Sequence, residues 1–263
     1  MTATPARQKA LGTVPDGMTK DEWEMRVDLA ACYQLTAKYG WSHMTGTHIS
    51  ARIPNTDDHF LLNPYGMFFE EITASSLIKV DKQGNILGSA DYPINPAGFI
   101  IHSAVHMSMP NILCVMHTHT PAGTAVSCLD EGLLPLSQNA LTILDFVGYH
   151  DYEGPALRED ERDRIVDDIG DGRIAILRNH GLLTIGETVG EAFTWMWRAE
   201  MACKMQLEAQ ASGAKLRFAS KEAQDYTRAQ GRRIYSRDGF AKPGHEWPAL
   251  LRQLERAGSN YYT

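Results

Sequence analysis

The chain has 263 residues, of which 43% are hydrophobic and 22% charged, a globular composition that excludes disordered, fibrous and membrane-embedded classes. A net charge of -7, with no Lys/Arg-rich run, excludes a phosphate backbone, so no nucleic acid is expected as partner. The four cysteines, Cys32, Cys114, Cys128 and Cys203, are far apart without CxxC spacing, which points to a reducing compartment. With neither a signal-like stretch nor about 18 consecutive apolar residues, the expectation is a cytoplasmic protein with no membrane partner.

In chain order, residues 1–18 carry Pro, Gly and Thr without periodicity and read as an extended N-terminal arm. Residues 19–215 read as one ordered domain. It opens on a helix with Thr19 as N-cap, Glu22 three residues on and Gly40 as stop. Short runs follow, HISARI, HFLLN and SLIKVD, then the turn KQGN and the run ILGS, all with strand character. A helix is expected over about Ala97–Met109, a strand in NILCVMHTH, and a helix in PAGTAVSCLDEG. LLPLSQNALTILDFVGYHDYEG shows few clear periods and reads as loop-rich. The charged helix REDERDRIVDDIG leads to the strand RIAILRN, and a last long helix runs from about Thr188 to Ser212, with Trp195, Met196, Ala199 and Met205 at core positions. Residues 216–263 are polar and mixed, with Pro243 and Pro248, and read as a C-terminal extension whose tyrosines, Tyr261 and Tyr262, fray.

CVMHTHTPAG carries the first chemical signal. Residues two apart on a strand share a face, so His117 and His119 project together and form half a divalent-metal site. The alternative is the polar end of a buried strand. ILRNHGLLTIG carries the second signal: Gly181 permits a sharp reversal that leaves His180 facing outward at a strand end, where α/β proteins place ligands. An Asn-His-Gly turn made for its backbone shape alone is the alternative. His102 and His106, at i and i+4 on a helix, have metal-capable spacing but no accompanying acid, and read as structural. Glu70 and Glu71 read as capping groups before the ITASS turn.

VMHTHTPAGTAVS, followed by ILRNHGLLTIGE before a long helix, resembles the class II aldolase/adducin family over about residues 20–215. The resemblance implies a three-layer α/β/α class II aldolase-like domain with a central, mainly antiparallel sheet. It also implies a divalent metal, zinc first and manganese, iron or cobalt as alternatives, on His117, His119 and His180. The family is usually a homotetramer with sites between subunits. THISARIP, FLLNPYGMFFEEITASSLIKVD, NPAGFIIHSAVH and YHDYEG are most similar to the adducin-like branch. The acid that sugar-phosphate aldolases carry four residues before the helix histidine falls at Gly98, and their phosphate-holding serines fall at Pro96 and Ala97. Their Asn and Ser pocket residues fall at His48 and Tyr65, which makes these two the expected substrate contacts.

The resemblance therefore implies a metal-dependent carbon–carbon lyase, an aldolase or decarboxylase. Its small-molecule substrate would be a non-phosphorylated hydroxy-, keto- or aromatic acid, cleaved through a metal-stabilised enediolate. Epimerisation and dehydration also occur in the family. With Gly98 unable to move a proton, Asp145 and His150 are the acid/base candidates, within one subunit or across an interface. The alternative function is a non-catalytic, adducin-like oligomeric scaffold. Retention of all three imidazoles favours the enzyme.

Overall fold

The computed structural model describes residues 5–56, 58–154 and 161–263. The arm expected to be extended contains a short helix, α1 (Pro5–Leu11), and is packed down. Trp23 donates its indole N–H to the carbonyl of Ala10, Arg7 pairs with Asp28 at 2.7 Å, and Leu11, Val14 and Met18 lie on the main core. Helix α2 (Lys20–Lys38) starts where its cap predicts, the Thr19 hydroxyl accepting from the Glu22 amide, and ends before Gly40 at φ 73°.

Three short strands follow: β1 (His48–Arg52), β2 (Phe60–Leu62) and β3 (Ile78–Val80). The run ILGS adds only an isolated bridge between Ile86 and Val80. Between β2 and β3 the Glu71 carboxylate accepts from the Phe68 amide at 2.7 Å, the expected capping role. Helix α3 (Pro96–Ser108), strand β4 (Cys114–Thr118) and helix α4 (Pro121–Ser127) match their sequence signals.

The stretch read as loop-rich is largely regular. It holds helix α5 (Gln138–Ile143), capped by the Ser137 hydroxyl on the Ala140 amide, a 3-10 turn (Leu144–Phe146) and strand β5 (Val147–His150). Helix α6 (Glu161–Ile169), strands β6 (Ile174–Leu177) and β7 (Gly181–Gly186), and helix α7 (Val189–Ala211) complete the family-like part. The first residues of the charged stretch before α6 lie outside the described ones. Met205 departs from the core reading, since it is 37% exposed while Trp195 and Met196 are buried.

The sheet has the order β3-β2-β1-β4-β7-β6-β5; it is mixed, β5 and β6 being the only parallel pair among the described residues. Alternation along the strands sorts two faces. Ile49, Ala51, Cys114, Met116, Ile176 and Leu182 pack with α2 and α7 in the main core. Val115, Ala175, Leu177, Leu183 and Ile185 pack under α3 and α6. The C-terminal segment is structured as well: α8 (Lys221–Ile234) lies against α5, and α9 (Trp247–Arg256) buries Trp247, Leu251 and Leu254 in the main core. Tyr261 is fully buried, and the backbone of Tyr261 and Thr263 accepts from Ala74 and Ser75 at 2.9 Å each.

Candidate metal centre

The register brings the histidines to one end of the sheet. His48, the first residue of β1, pairs with His117 near the end of β4, and His117 pairs with Leu183 near the start of β7. His119 follows β4 by one residue, and His180 precedes β7 by one. In the Asn-His-Gly turn the left-handed residue is Asn179, at φ 56°, so Asn179 makes the reversal that was expected of Gly181. Gly181 is required for a different reason. A Cβ there would lie 2.4 Å from the Thr118 carbonyl oxygen, so only glycine lets the start of β7 approach the end of β4. Helix α4 holds the turn from the other side, because Ser127 accepts from the Asn179 amide with its carbonyl, 3.1 Å, and from the His180 amide with its hydroxyl, 3.2 Å. The start of α4 is itself fixed by buried Glu200 of α7, which accepts from the Gly123 amide at 3.1 Å and from the Thr120 hydroxyl.

One ring nitrogen from each of His117, His119 and His180 lies within 4.8 Å of the other two. His117 Nδ1 is 2.9 Å from the Leu182 carbonyl oxygen, which can only accept, so Nδ1 carries the proton and Nε2 is a bare lone pair. That lone pair faces His119 Nε2 at 2.8 Å. Burial holds the imidazoles neutral: it pushes His119 down to about 4, His117 well below the ordinary histidine value and His180 down as well, with neighbouring histidines adding to each shift. Neutral, convergent imidazoles with an outer hydrogen bond fixing a tautomer are the donor set a divalent ion requires, so these residues fit such a group.

His48 lies beside this trio, on the face of β1 that looks toward α3. Its ring centroid is 4.3 Å from that of His102 and 5.5 Å from that of His117. The side chain is buried, and neither of its ring nitrogens has a partner among the described residues. Burial, with His119 and His180 nearby, lowers it to about 3. A Cβ at residue 98 would lie 2.5 Å from the His48 ring, so the imidazole occupies the space that a side chain at Gly98 would need. The missing acid and the histidine at position 48 are thus one steric arrangement. Behind them, the Ser50 hydroxyl lies 2.8 Å from both His102 Nδ1 and His106 Nε2, which agrees with the structural reading of that pair.

The other expected site residues lie farther out. His150 ends β5 at the same end of the sheet, but carboxylates flank both its nitrogens, Asp168 at 2.8 Å and Glu161 at 3.4 Å. With Tyr152, Arg178 and His180 it lines a narrow cleft. Asp145 precedes β5, at the opposite end of the sheet, and is held by Arg228 at 2.7 Å and by Arg232. Within one chain it does not meet the histidines. Tyr65 follows β2 on the histidine side and is 43% exposed. One residue escaped the sequence analysis. His43, exposed in the loop before β1, places Nδ1 3.0 Å from His119 Nδ1. A lone histidine in WSHMTG has no periodicity to mark it.

Comparison with known proteins agrees with this architecture. The chain is 49% identical over 246 residues to a Caulobacter vibrioides protein named "Putative aldolase class 2 protein", covering 93% of this chain and 94% of that one. It is 44% identical over 196 residues to alpha-adducin of Mus musculus, covering 73% of this chain but 26% of the adducin. A crystal structure of an aldolase II superfamily protein from Pseudomonas syringae superposes with a TM-score of 0.88 at 44% identity, covering 94% of this chain and 98% of that one. The family model described as Class II Aldolase and Adducin N-terminal domain matches residues 27–207, and the chain belongs to that family.

Proposed function

We propose that this chain is a divalent-metal-dependent lyase that cleaves a carbon–carbon bond in a small, non-phosphorylated hydroxy-, keto- or aromatic acid, by retro-aldol cleavage or decarboxylation. The observation that carries this reading is the convergence of three neutral imidazoles from two strand ends, with the His117 lone pair turned toward the others and away from its own carbonyl partner. His117, His119 and His180 hold the ion, which is zinc in this proposal, with manganese, iron or cobalt as the alternatives. When bound, such an ion supplies Lewis-acid polarisation to a carbonyl or carboxylate oxygen.

The protein's own groups do the rest. His48, buried and neutral, offers an N–H to a substrate oxygen and keeps charge away from the site. Tyr65 lies on the same side of the sheet and contacts the more exposed part of the substrate. Of the acid/base candidates, His150 lies beside His180 in the cleft. Asp145 takes that role only if a neighbouring copy carries it to the histidines, as the proposed homotetramer with shared sites allows. No described helix is long and apolar enough to cross a membrane, in keeping with the proposed cytoplasmic location.

A second reading, an adducin-like scaffold that keeps the fold without catalysis, draws on the 44% identity to alpha-adducin and on Gly98. Elemental analysis of purified protein beside His117→Ala separates the two. About one transition-metal ion per chain, lost in the variant, supports the lyase and directs a screen of hydroxy- and keto-acids for cleavage products or carbon dioxide. No metal after reconstitution favours the scaffold.

A further inference from the structure

We propose that His43 is a positioning residue of the metal centre: it accepts the Nδ1 proton of His119 and so turns the other nitrogen of that ring, bare, toward the ion. The inference rests on the metal reading above and adds to it a residue from a different element, the loop between α2 and β1.

The argument follows the protons along a row of nitrogens. The Leu182 carbonyl only accepts, so His117 carries hydrogen on Nδ1 and a lone pair on Nε2. His117 Nε2 and His119 Nε2 lie 2.8 Å apart, and a hydrogen bond between them forms only if His119 donates. His119 Nδ1 is then bare and accepts from His43 Nδ1, 3.0 Å away. For both Nε2 atoms to serve as ligands, the reverse would be required at His119. Its Nε2 loses the proton, its Nδ1 gains one, and the group facing Nδ1 has to become an acceptor.

His43 is suited to that exchange because imidazole has both tautomers available. Its Nδ1 proton passes to His119 Nδ1, its Nε2 takes up a proton, and His119 Nε2 releases one, so the proton count is unchanged. The loop fixes the backbone at His43: Met44 is in the left-handed region at φ 50°, and the Gly46 amide donates to the His43 carbonyl at 2.8 Å. The two ring centroids are 5.2 Å apart, nearly edge to face.

The test is zinc affinity, measured by competition with a chromogenic chelator, for the intact protein and for His43→Leu and His43→Gln. Leu fills the space without accepting, and should weaken zinc binding by about tenfold or more. Gln presents a carbonyl acceptor and should stay near the parent value. Nitrogen-15 side-chain spectra of the zinc-loaded protein should show His119 protonated at Nδ1. Both variants alter an exposed loop residue and should keep the helix content of the parent. Parent-like affinity in His43→Leu, or equal losses in Leu and Gln, overturns the proposal while leaving the metal centre standing. Failure of the unmodified protein to take up zinc, manganese, iron or cobalt overturns both, and is seen before any variant is made.

Discussion

The two histidine groups on the α3 face of the sheet, one buried and one partly so, differ in what their nitrogens meet. His102 and His106 share the Ser50 hydroxyl, a neutral partner that satisfies one nitrogen of each, and the Ile112 carbonyl lies 3.3 Å from the other nitrogen of His106. His117 and His119, only a few ångströms away, turn nitrogens toward each other and toward His180. Burial lowers the proton affinity of both groups, so burial does not distinguish a ligand from a packed histidine. The direction of the free lone pairs does.

The largest way to break this contrast is His180→Ala. It should reduce zinc affinity more than about a hundredfold with little change in circular dichroism, and unfolding of the metal-free variant would place His180 in the structural group instead. Acid should act on both groups, and on His48 beside them, together in metal-free protein. Their folded proton affinities are lowered, His48 and His106 to about 3 and His119 to about 4, whereas in the unfolded chain they return to about 6.5. The unfolded state then binds more protons between those limits, so stability is retained above pH ~6.5 and lost as pH falls below it. Urea midpoints between pH 7.5 and 5 should fall with a slope equivalent to about three protons or more. A flat profile would contradict the neutral, buried assignment.

Smaller changes sharpen the contrast. Gly98→Ala forces a methyl group into the His48 ring and should cost about 1–3 kcal/mol in urea unfolding. His48→Ala/Gly98→Ala should cost less than the sum of the single changes, because the clash is removed. Ser50→Ala unpairs two ring nitrogens and should cost about 1–3 kcal/mol while leaving zinc affinity unchanged. Asp145→Asn weakens partly exposed ion pairs to Arg228 and Arg232, and should cost about 1 kcal/mol or less without loss of metal.

Much of the candidate site was legible because the histidine cluster follows strand arithmetic. A period of two puts His117 and His119 on one face, and a turn before an apolar run puts His180 at a strand end. The reason for Gly181 was not legible, since close approach to Thr118 depends on the pairing of β4 with β7, a contact between distant residues. His48 and Gly98 were noticed separately. Their mutual exclusion appears only when α3 is laid over β1. Among the elements, α2 carried cap and period signals and α7 a period, while α5 and β5 are too short to show one. The C-terminal helices were hidden by composition: α8 buries only Gly231, against the Thr142 backbone, although Trp247, Leu251 and Leu254 of α9 do keep helical spacing.

X-ray absorption at the zinc edge, on protein loaded with one equivalent of zinc, tests the shared centre most directly. The account predicts nitrogen scatterers at about 2.0–2.1 Å with the outer-shell pattern of several imidazoles, reduced by one imidazole in His119→Ala. An oxygen-only shell, or an unchanged spectrum in the variant, would contradict it.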